Sequence, residues 1–230
     1  MAARARASLV ARAMTLDQHP LALLALLGLL SLLPLLAIAT TSYLKLSIVL
    51  VLVRNALGVQ QAPTTLALNA IALVATAFVM SPTLSACMAQ ARAMPSSSAS
   101  GISQVHAALE VVEPLRQFVL RNGSTRERER FLELARKTWP ETARHTARAD
   151  DWSIAVPAFV VSELQAAFEI GLLLFIPFVA VDILVSNVLL AMGMQMVPPM
   201  TVALPIKLLL FVLADGWGKL LQALVLSYQG

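Results

Sequence analysis

Hydrophobic and polar positions fall along this chain in long blocks, not in short alternations, which points to helices and away from strands. Residues 1–20 are polar and carry Arg4, Arg6 and Arg12. The run Leu21 to Ala39, LALLALLGLLSLLPLLAIA, is uncharged and about 20 residues long, enough to cross a bilayer as a helix. A second apolar stretch, Leu44 to Leu57, contains Lys45 and Arg54. At about 100° per residue these two charges stand half a turn out of phase, on opposite sides of one helix. Gly58 is a natural helix stop, and Pro63 supports a break before the next helix. The third stretch, Leu66 to Met80, is uncharged and ends at Ser81-Pro82. It is short for a span unless its helix continues past the proline through Cys87.

The pattern changes over residues 91–151. PSSSASG (Pro95 to Gly101) has the composition of a flexible linker. VHAALEVVEPLRQFVL then reads as a broken amphipathic helix, and Ser124 to Trp139 as a better one. Ser124 is placed as an N-cap with Glu127 at the capping-box position, and Phe131, Leu134, Ala135 and Thr138 share the expected apolar face. The run RERER, Arg126 to Arg130, reads as a solvated helix face. From Phe159 to Met192 the chain is apolar again, too long for one straight span, with Glu163, Glu169, Pro177 and Asp182 as interruptions. The last apolar element, Met200 to Tyr228, holds Pro205, Lys207, Asp215 and Lys219. The pattern predicts an all-α chain of four or five hydrophobic helices forming bent hairpins. Its parts are a polar tail at 1–20, three hydrophobic helices at 21–90, a soluble helical insert at 91–151, and a hydrophobic hairpin at 152–230 with a methionine-rich loop at 191–200.

Composition narrows the class. The chain has 230 residues, 58% hydrophobic and 13% charged, against roughly 25% charge in an average soluble domain. This is the balance of a membrane protein, or of an assembly component that enters through a membrane. Arginines before an apolar run, with Ala37-x-Ala39 after it, also resemble a signal peptide, but the run is long and Pro34 interrupts it. Met14 offers a second candidate start. The single cysteine, Cys87, excludes an internal disulfide and a cysteine-based metal site. A net charge of +4 comes from arginines in two polar regions, so no nucleic-acid footprint emerges. His19, His106 and His145 are scattered without metal-ligand spacing. Phosphate loops, dinucleotide turns and nucleophile elbows are absent. Glu163 and Glu169 stand about 240° apart on a helix and are not a carboxylate pair. The expectation is a protein with no catalytic site, cofactor or metal.

The informative residues are the charges inside apolar segments. Each would cost about 2.5–3.5 kcal/mol at a bilayer centre, so each should face protein or water and find a partner. Glu163 and Lys207 are expected to pair, within a chain bent at Pro177 or between neighbouring subunits. The bland alternative is that each snorkels to water at a helix end. The stretch AMGMQMVPPM gathers Met192, Met194, Met196 and Met200 around Gly193 and the Pro198-Pro199 pair, where no helix runs straight. Methionine is unbranched and polarizable and repacks around variable partners. A ring of such loops would make a deformable apolar seal.

Four stretches together resemble one family: TSYLKLSIVLVLVRNALGVQQAP, AFVMSP, VPAFVVSELQAAFEIGLLLFIPFVAVDILVSNVLLAMGMQMVPP and LPIKLLLFVLADGW. The family is FliP/SctR, the export-gate proteins of bacterial type III secretion systems. The form LVRNALGVQQAP is more similar to the virulence (injectisome) branch than to the flagellar one. The resemblance implies a homopentamer joined by two other small export-gate membrane subunits. An export-switch protein and a large export-gate subunit are further implied partners. It implies a cone-shaped pore that conducts unfolded secreted proteins across the inner membrane and helps nucleate the rod or needle. It places the assembled complex largely at the periplasmic side, Met192, Met194 and Met196 as a pore gasket, and Gly193, Pro198 and Pro199 as the residues shaping that loop. Flagellar relatives often read MGMMMV, and Gln195 stands here in place of one methionine. Glu163 and Lys207 fit the family's SEL and LPxK motifs and, with Arg54 and Asn55 in LVRNALG, are implied in subunit pairing. The arginines of the tail argue for a cytoplasmic N-terminus. The family reading instead puts the insert on the periplasmic side and, with four spans, both termini there too. The competing reading is a secondary transporter or ion channel with Glu163, Asp182 and Lys207 as a relay, although internal repeats are not visible. A plain assembly scaffold is a third.

Overall fold

A computed structural model describes residues 20–59, 63–93 and 109–229. The polar tail with its arginines and Met14, the linker PSSSASG, and His19 and His106 lie outside the described residues. The described part is helical, with no strand among the described residues. The chain divides into two compact units, Met1–Ile38 and Ala39–Gly230.

The first unit is represented by helix α1 (Pro20–Thr40), which runs through Pro34. Leu27, Leu30, Leu33 and Leu35 on it are all exposed. An uncharged helix with leucines on every side has no polar face to turn to water, the property of a segment meant for lipid or another protein.

The second unit is organised around a short hydrophobic helix, α2 (Tyr43–Leu57). Leu46, Val49, Leu50, Val53, Ala56 and Leu57 are buried at helical spacing. They pack on Leu68 and Ala72 of α3 (Thr65–Ala93) and on Ala167 and Phe178 of α7 (Trp152–Ala191). Phe211 of α8 (Pro199–Leu213) and Leu220 and Leu224 of α9 (Gly216–Leu226) complete the cluster. Gly171 permits the close approach of α7: a Cβ there would stand 2.3 Å from a methyl of Leu52. Helix α2 ends as its sequence predicts, at Gly58 with φ +79°, whose N–H donates to the Asn55 carbonyl at 3.0 Å.

At Pro82 the longer of the two expected readings holds, and Pro177, expected to interrupt its helix, does not. Helix α3 continues through Pro82 to Ala93, 29 residues in all, and α7 runs 40 residues through Pro157 and Pro177. An internal proline costs roughly 3 kcal/mol through its missing N–H and ring clash. In α3 the proline sits on the exposed side, while Met80 two residues before it is buried and anchors the helix to the fold. The acidic residues of α7 do not interrupt it either, since two are paired and Glu169 is exposed. At about 1.5 Å per residue α7 is roughly 60 Å long, twice the thickness of a hydrocarbon core. Helices α3 and α7 are long and apolar enough to cross a membrane among the described residues, with up to four spans if bent pairs each count as one. The final apolar element is two helices and not one, since α8 and α9 meet at 61°.

The insert comprises α4 (Glu113–Asn122), α5 (Thr125–Thr138) and the short α6 (Glu141–Arg144). Ser124 holds the N-cap position, but its hydroxyl makes no cap bond. Glu127 does not reach back as a capping box requires: its carboxylate is buried and accepts from Arg130 Nη1 at 2.7 Å. The buried face of α5 is therefore rotated from the expected one. Glu127 and Ala135 are buried with Phe131 half-buried between them, while Leu134 and Thr138 are exposed. RERER is likewise not wholly solvated, because Glu127 is buried and Arg128 half-buried.

Candidate functional site

Two places in the second unit collect the residues with something other than packing to do. The first is a dry polar cluster at the start of α2. Helix α2 buries one stripe, and Lys45 lies on it with Val49 and Val53. Its ammonium meets Glu163 Oε1 of α7 at 3.3 Å. The other carboxylate oxygen accepts a hydrogen bond from the hydroxyl of Tyr228, just past α9. That hydroxyl also lies 3.4 Å from the Ser42 carbonyl. The Lys45 ammonium sits 3.7 Å above the centre of the Tyr228 ring, a cation–π contact. All three side chains are buried. The Tyr228 hydroxyl is the donor of its bond to Glu163, since a carboxylate oxygen can only accept. A buried charge pair is tolerated when its remaining valences are met, and here a phenol supplies the second bond to the carboxylate.

The second place is the hairpin of α7 and α8. Lys207 donates to Asp182 Oδ2 at 2.6 Å and to the Ala56 carbonyl at 3.3 Å. Ala56 lies in the last turn of α2, where carbonyls lack intrahelical partners and a cation is favoured. Glu163 and Lys207, expected as partners, thus do not meet within the chain: each has its own partner. The reason is the continuity of α7. Because Pro177 does not bend the chain back, Glu163 lies about 28 Å before Asp182 along α7. Arg54 is half-buried and donates from Nη1 to the Thr65 hydroxyl at 3.0 Å, while Asn55 is exposed. Within the chain both serve the turn between α2 and α3.

At the tip of the hairpin the chain makes a tight turn. Met192 ends α7, and Gly193 takes φ +72°, where a Cβ is disfavoured. The Met194 N–H donates back to the Leu189 carbonyl at 2.9 Å. Pro198 is extended, and Pro199 opens α8 at the position where a proline lacks nothing. Met192, Met194, Met196 and Met200 are all exposed, Met196 almost completely at 98%. Between the arms lies an apolar groove of about 460 Å³, lined among others by Val185, Val188, Met192, Met194 and Ile206. The far end of the loop rests on α2: the Met200 methyl stands 3.4 Å from where Gly58 would carry a Cβ. So the end of α2 seats both the Lys207 ammonium and the methionine turn.

At the base of the insert, Asp150 accepts from Arg116 at 2.8 Å and from Arg148 at 3.1 Å. The hydrogen bond from Arg148 holds its carboxyl below the usual range. No group of three potential metal ligands exists among the described residues.

Lys45, Asp182 and Tyr228 were not anticipated as partners. The signal for Lys45 was its place on the stripe with Val49 and Val53. The signal for Asp182 was symmetry, since Asp182 and Lys207 are nearly equidistant from the centre of the methionine turn. Tyr228 carried no local signal at all.

Comparison with known proteins places these features. The sequence profile of the FliP family matches residues 26–224. The chain is 48% identical over 192 residues to "Harpin secretion protein HrpW" of Pseudomonas syringae pv. syringae, covering 83% of this chain and 92% of that protein. It is 45% identical over 215 residues to "Virulence protein YscR" of Salmonella typhimurium, covering 94% of this chain and 100% of the relative. To "Yop proteins translocation protein R" of Yersinia pestis it is 42% identical over 194 residues, covering 84% and 89%.

Proposed function

The chain belongs to the FliP family, and from that premise we propose that it is a pore subunit of a virulence-type type III secretion export gate. In this reading several copies, a homopentamer, join the two other small gate subunits, the large gate subunit and the export-switch protein. They pass unfolded proteins across the bacterial inner membrane and help nucleate the rod or needle, with the assembly largely at the periplasmic side. The subunit performs no chemistry of its own. Relatives named for harpin secretion, virulence and Yop translocation support this.

The single observation that carries the pore role is the hairpin tip. A turn held by backbone bonds, a left-handed glycine and two prolines presents methionines outward from an apolar groove. Such a tip is fixed in its backbone and soft in its side chains. Arranged around an axis, the tips would exclude water when empty and repack around a passing chain. The test changes Met192, Met194 and Met196 together to Ala. Ion conductance or dye entry across the inner membrane should rise while some export persists. Unchanged leakage from a confirmed assembly means the seal lies elsewhere.

The relay reading of Glu163, Asp182 and Lys207 has less support. Each carboxylate is neutralised by its own lysine, and the two pairs stand about 28 Å apart along one unbroken helix. Particle mass in mild detergent separates the readings: a gate subunit is a closed multimer, a transporter a monomer or dimer.

A further inference from the structure

We infer that Tyr228 is a latch coupling the soluble insert to the buried Lys45–Glu163 pair, so that insert and hydrophobic helices lock as one cooperative unit. Tyr228 faces both. Its hydroxyl donates to Glu163 and lies near the Ser42 carbonyl, and the Lys45 ammonium sits over its ring. Its ring is stacked on Phe118 of the insert helix α4, centroids 5.8 Å apart and planes 20° from parallel. Phe118 in turn meets Phe159 of α7 edge-on at 6.0 Å. Met80, Val119 and Ala155 close the apolar side of this cluster.

The division of labour within the side chain is chemical. The polar end completes the hydrogen bonding of a buried carboxylate, and the aromatic face covers a phenylalanine that would otherwise look into an open cleft. That cleft, about 560 Å³, is lined by Phe78, Pro82, Arg121, Val225, Tyr228 and Gln229. The latch also closes the fold in sequence. Tyr228 reaches Ser42 across 186 positions and Glu163 across 65. Until α9 docks, Glu163 has only Lys45 and Phe118 lacks its stacking partner. Docking of the segment after α9 therefore completes the ion pair and the seat of the insert in one step. Glu163 touches the insert through no polar contact of its own, so its charge state reaches α4 through Tyr228.

The test is hydrogen exchange of α4 in the purified full chain in detergent, comparing wild type with Tyr228→Phe, Glu163→Gln, the double variant and Phe118→Leu. Tyr228→Phe keeps the ring and removes only the hydroxyl, and should raise α4 exchange roughly ten- to hundredfold, the worth of one hydrogen bond to a charged group. Glu163→Gln, which also breaks the buried pair with Lys45, should raise it further, and the double variant no further than Glu163→Gln alone. Phe118→Leu, a change confined to the insert, should reciprocally raise exchange in the first turn of α2 around Lys45. The inference is overturned if Glu163→Gln leaves α4 unchanged. It is equally overturned if the double variant multiplies the two single effects, because the signal then travels through Phe159, one turn from Glu163 on α7. Should Tyr228→Phe fail to give a monodisperse protein, the Phe118→Leu arm decides alone: no change around Lys45 rejects the latch.

Discussion

Replacing Glu163 by Gln keeps the volume and hydrogen-bonding shape of the side chain and removes its charge. The Lys45 ammonium is then buried with a tyrosine ring and an amide oxygen as its neighbours, and no counter-charge. Breaking a buried pair from one side costs about 3–5 kcal/mol. The hydrogen bond from Tyr228 to a charged acceptor, worth about 1.5–3 kcal/mol, becomes an ordinary one. Against a total stability of about 5–15 kcal/mol, the single change removes a third or more of what holds the second unit. Lys45→Met should cost a similar amount, because the carboxylate is left with the phenol alone.

The double variant Lys45→Met, Glu163→Leu separates attraction from desolvation. Two apolar side chains of similar length replace the pair, and such exchanges are neutral to stabilising by about 1–4 kcal/mol. The Tyr228 hydroxyl loses its carboxylate, a penalty of about 1–3 kcal/mol partly met by the Ser42 carbonyl. The double variant should therefore lie within about 2 kcal/mol of wild type, while the sum of the singles is about 6–10 kcal/mol. Chemical unfolding in mild detergent reads this directly, with Trp152 as reporter because it packs on the cluster of Phe118 and Phe159. A double variant as damaged as the sum of the singles would show that the two charges are solvated independently, and the cluster would be no pair at all.

Three further outcomes follow from the geometry. Gly171→Ala places a methyl 2.3 Å from Leu52, and overpacking of about 1–3 kcal/mol should lower the unfolding midpoint; adding Leu52→Ala should recover part of it. Lys207→Met leaves Asp182, whose side chain is 43% exposed, free to find water, so it should cost clearly less than Lys45→Met in the same assay. For Asp150, whose folded pKa is depressed, the stabilising contribution is complete above the ordinary carboxylate value of about 4 and is lost as pH falls through the lower folded value. A carboxyl chemical-shift titration should show that depressed midpoint, and Arg148→Ala should bring it back up.

The helices were legible because blocks of apolar residues this long have no other outlet for their backbone groups. Their ends were less so. Gly58 was readable as a stop because a left-handed terminus is a local requirement of the chain. Pro82 left the end of its helix open and Pro177 was misread as an interruption, because a proline's cost is local, whereas the helix around it is held by packing and many further bonds. The capping box at Ser124 failed for a similar reason: Glu127 has the right spacing, but tertiary contact turned it inward toward Arg130. The ion pairs were half legible. Hydropathy identified Lys45, Glu163, Asp182 and Lys207 as charges that must find partners. It could not match them, since matching needs the path of α7, and that path hung on Pro177. Tyr228 stayed invisible because nothing near it in sequence distinguishes a tyrosine that closes the fold from one that ends a helix.

Once α7 is continuous, the rest of the arrangement follows from length. An unbroken helix of 40 residues puts Glu163 and the methionine turn far apart, so one short helix, α2, has to answer to both. At its first turn it offers Lys45 to Glu163; at its last it offers the Ala56 carbonyl to Lys207 and the bare backbone of Gly58 to Met200. Helix α2 is therefore the spacer that sets the height of the methionine tip relative to the insert. A residue added within α2 would rotate its two ends by about 100° and shift them by about 1.5 Å. Only one of the two lysine sites could then be satisfied at a time. Inserting a single alanine after Ser47 should accordingly be far more damaging than inserting one after Ala93, beyond the packed part of α3. Equal damage from the two insertions, judged by yield of monodisperse protein, would mean that α2 is ordinary packing and that the height of the tip is set elsewhere.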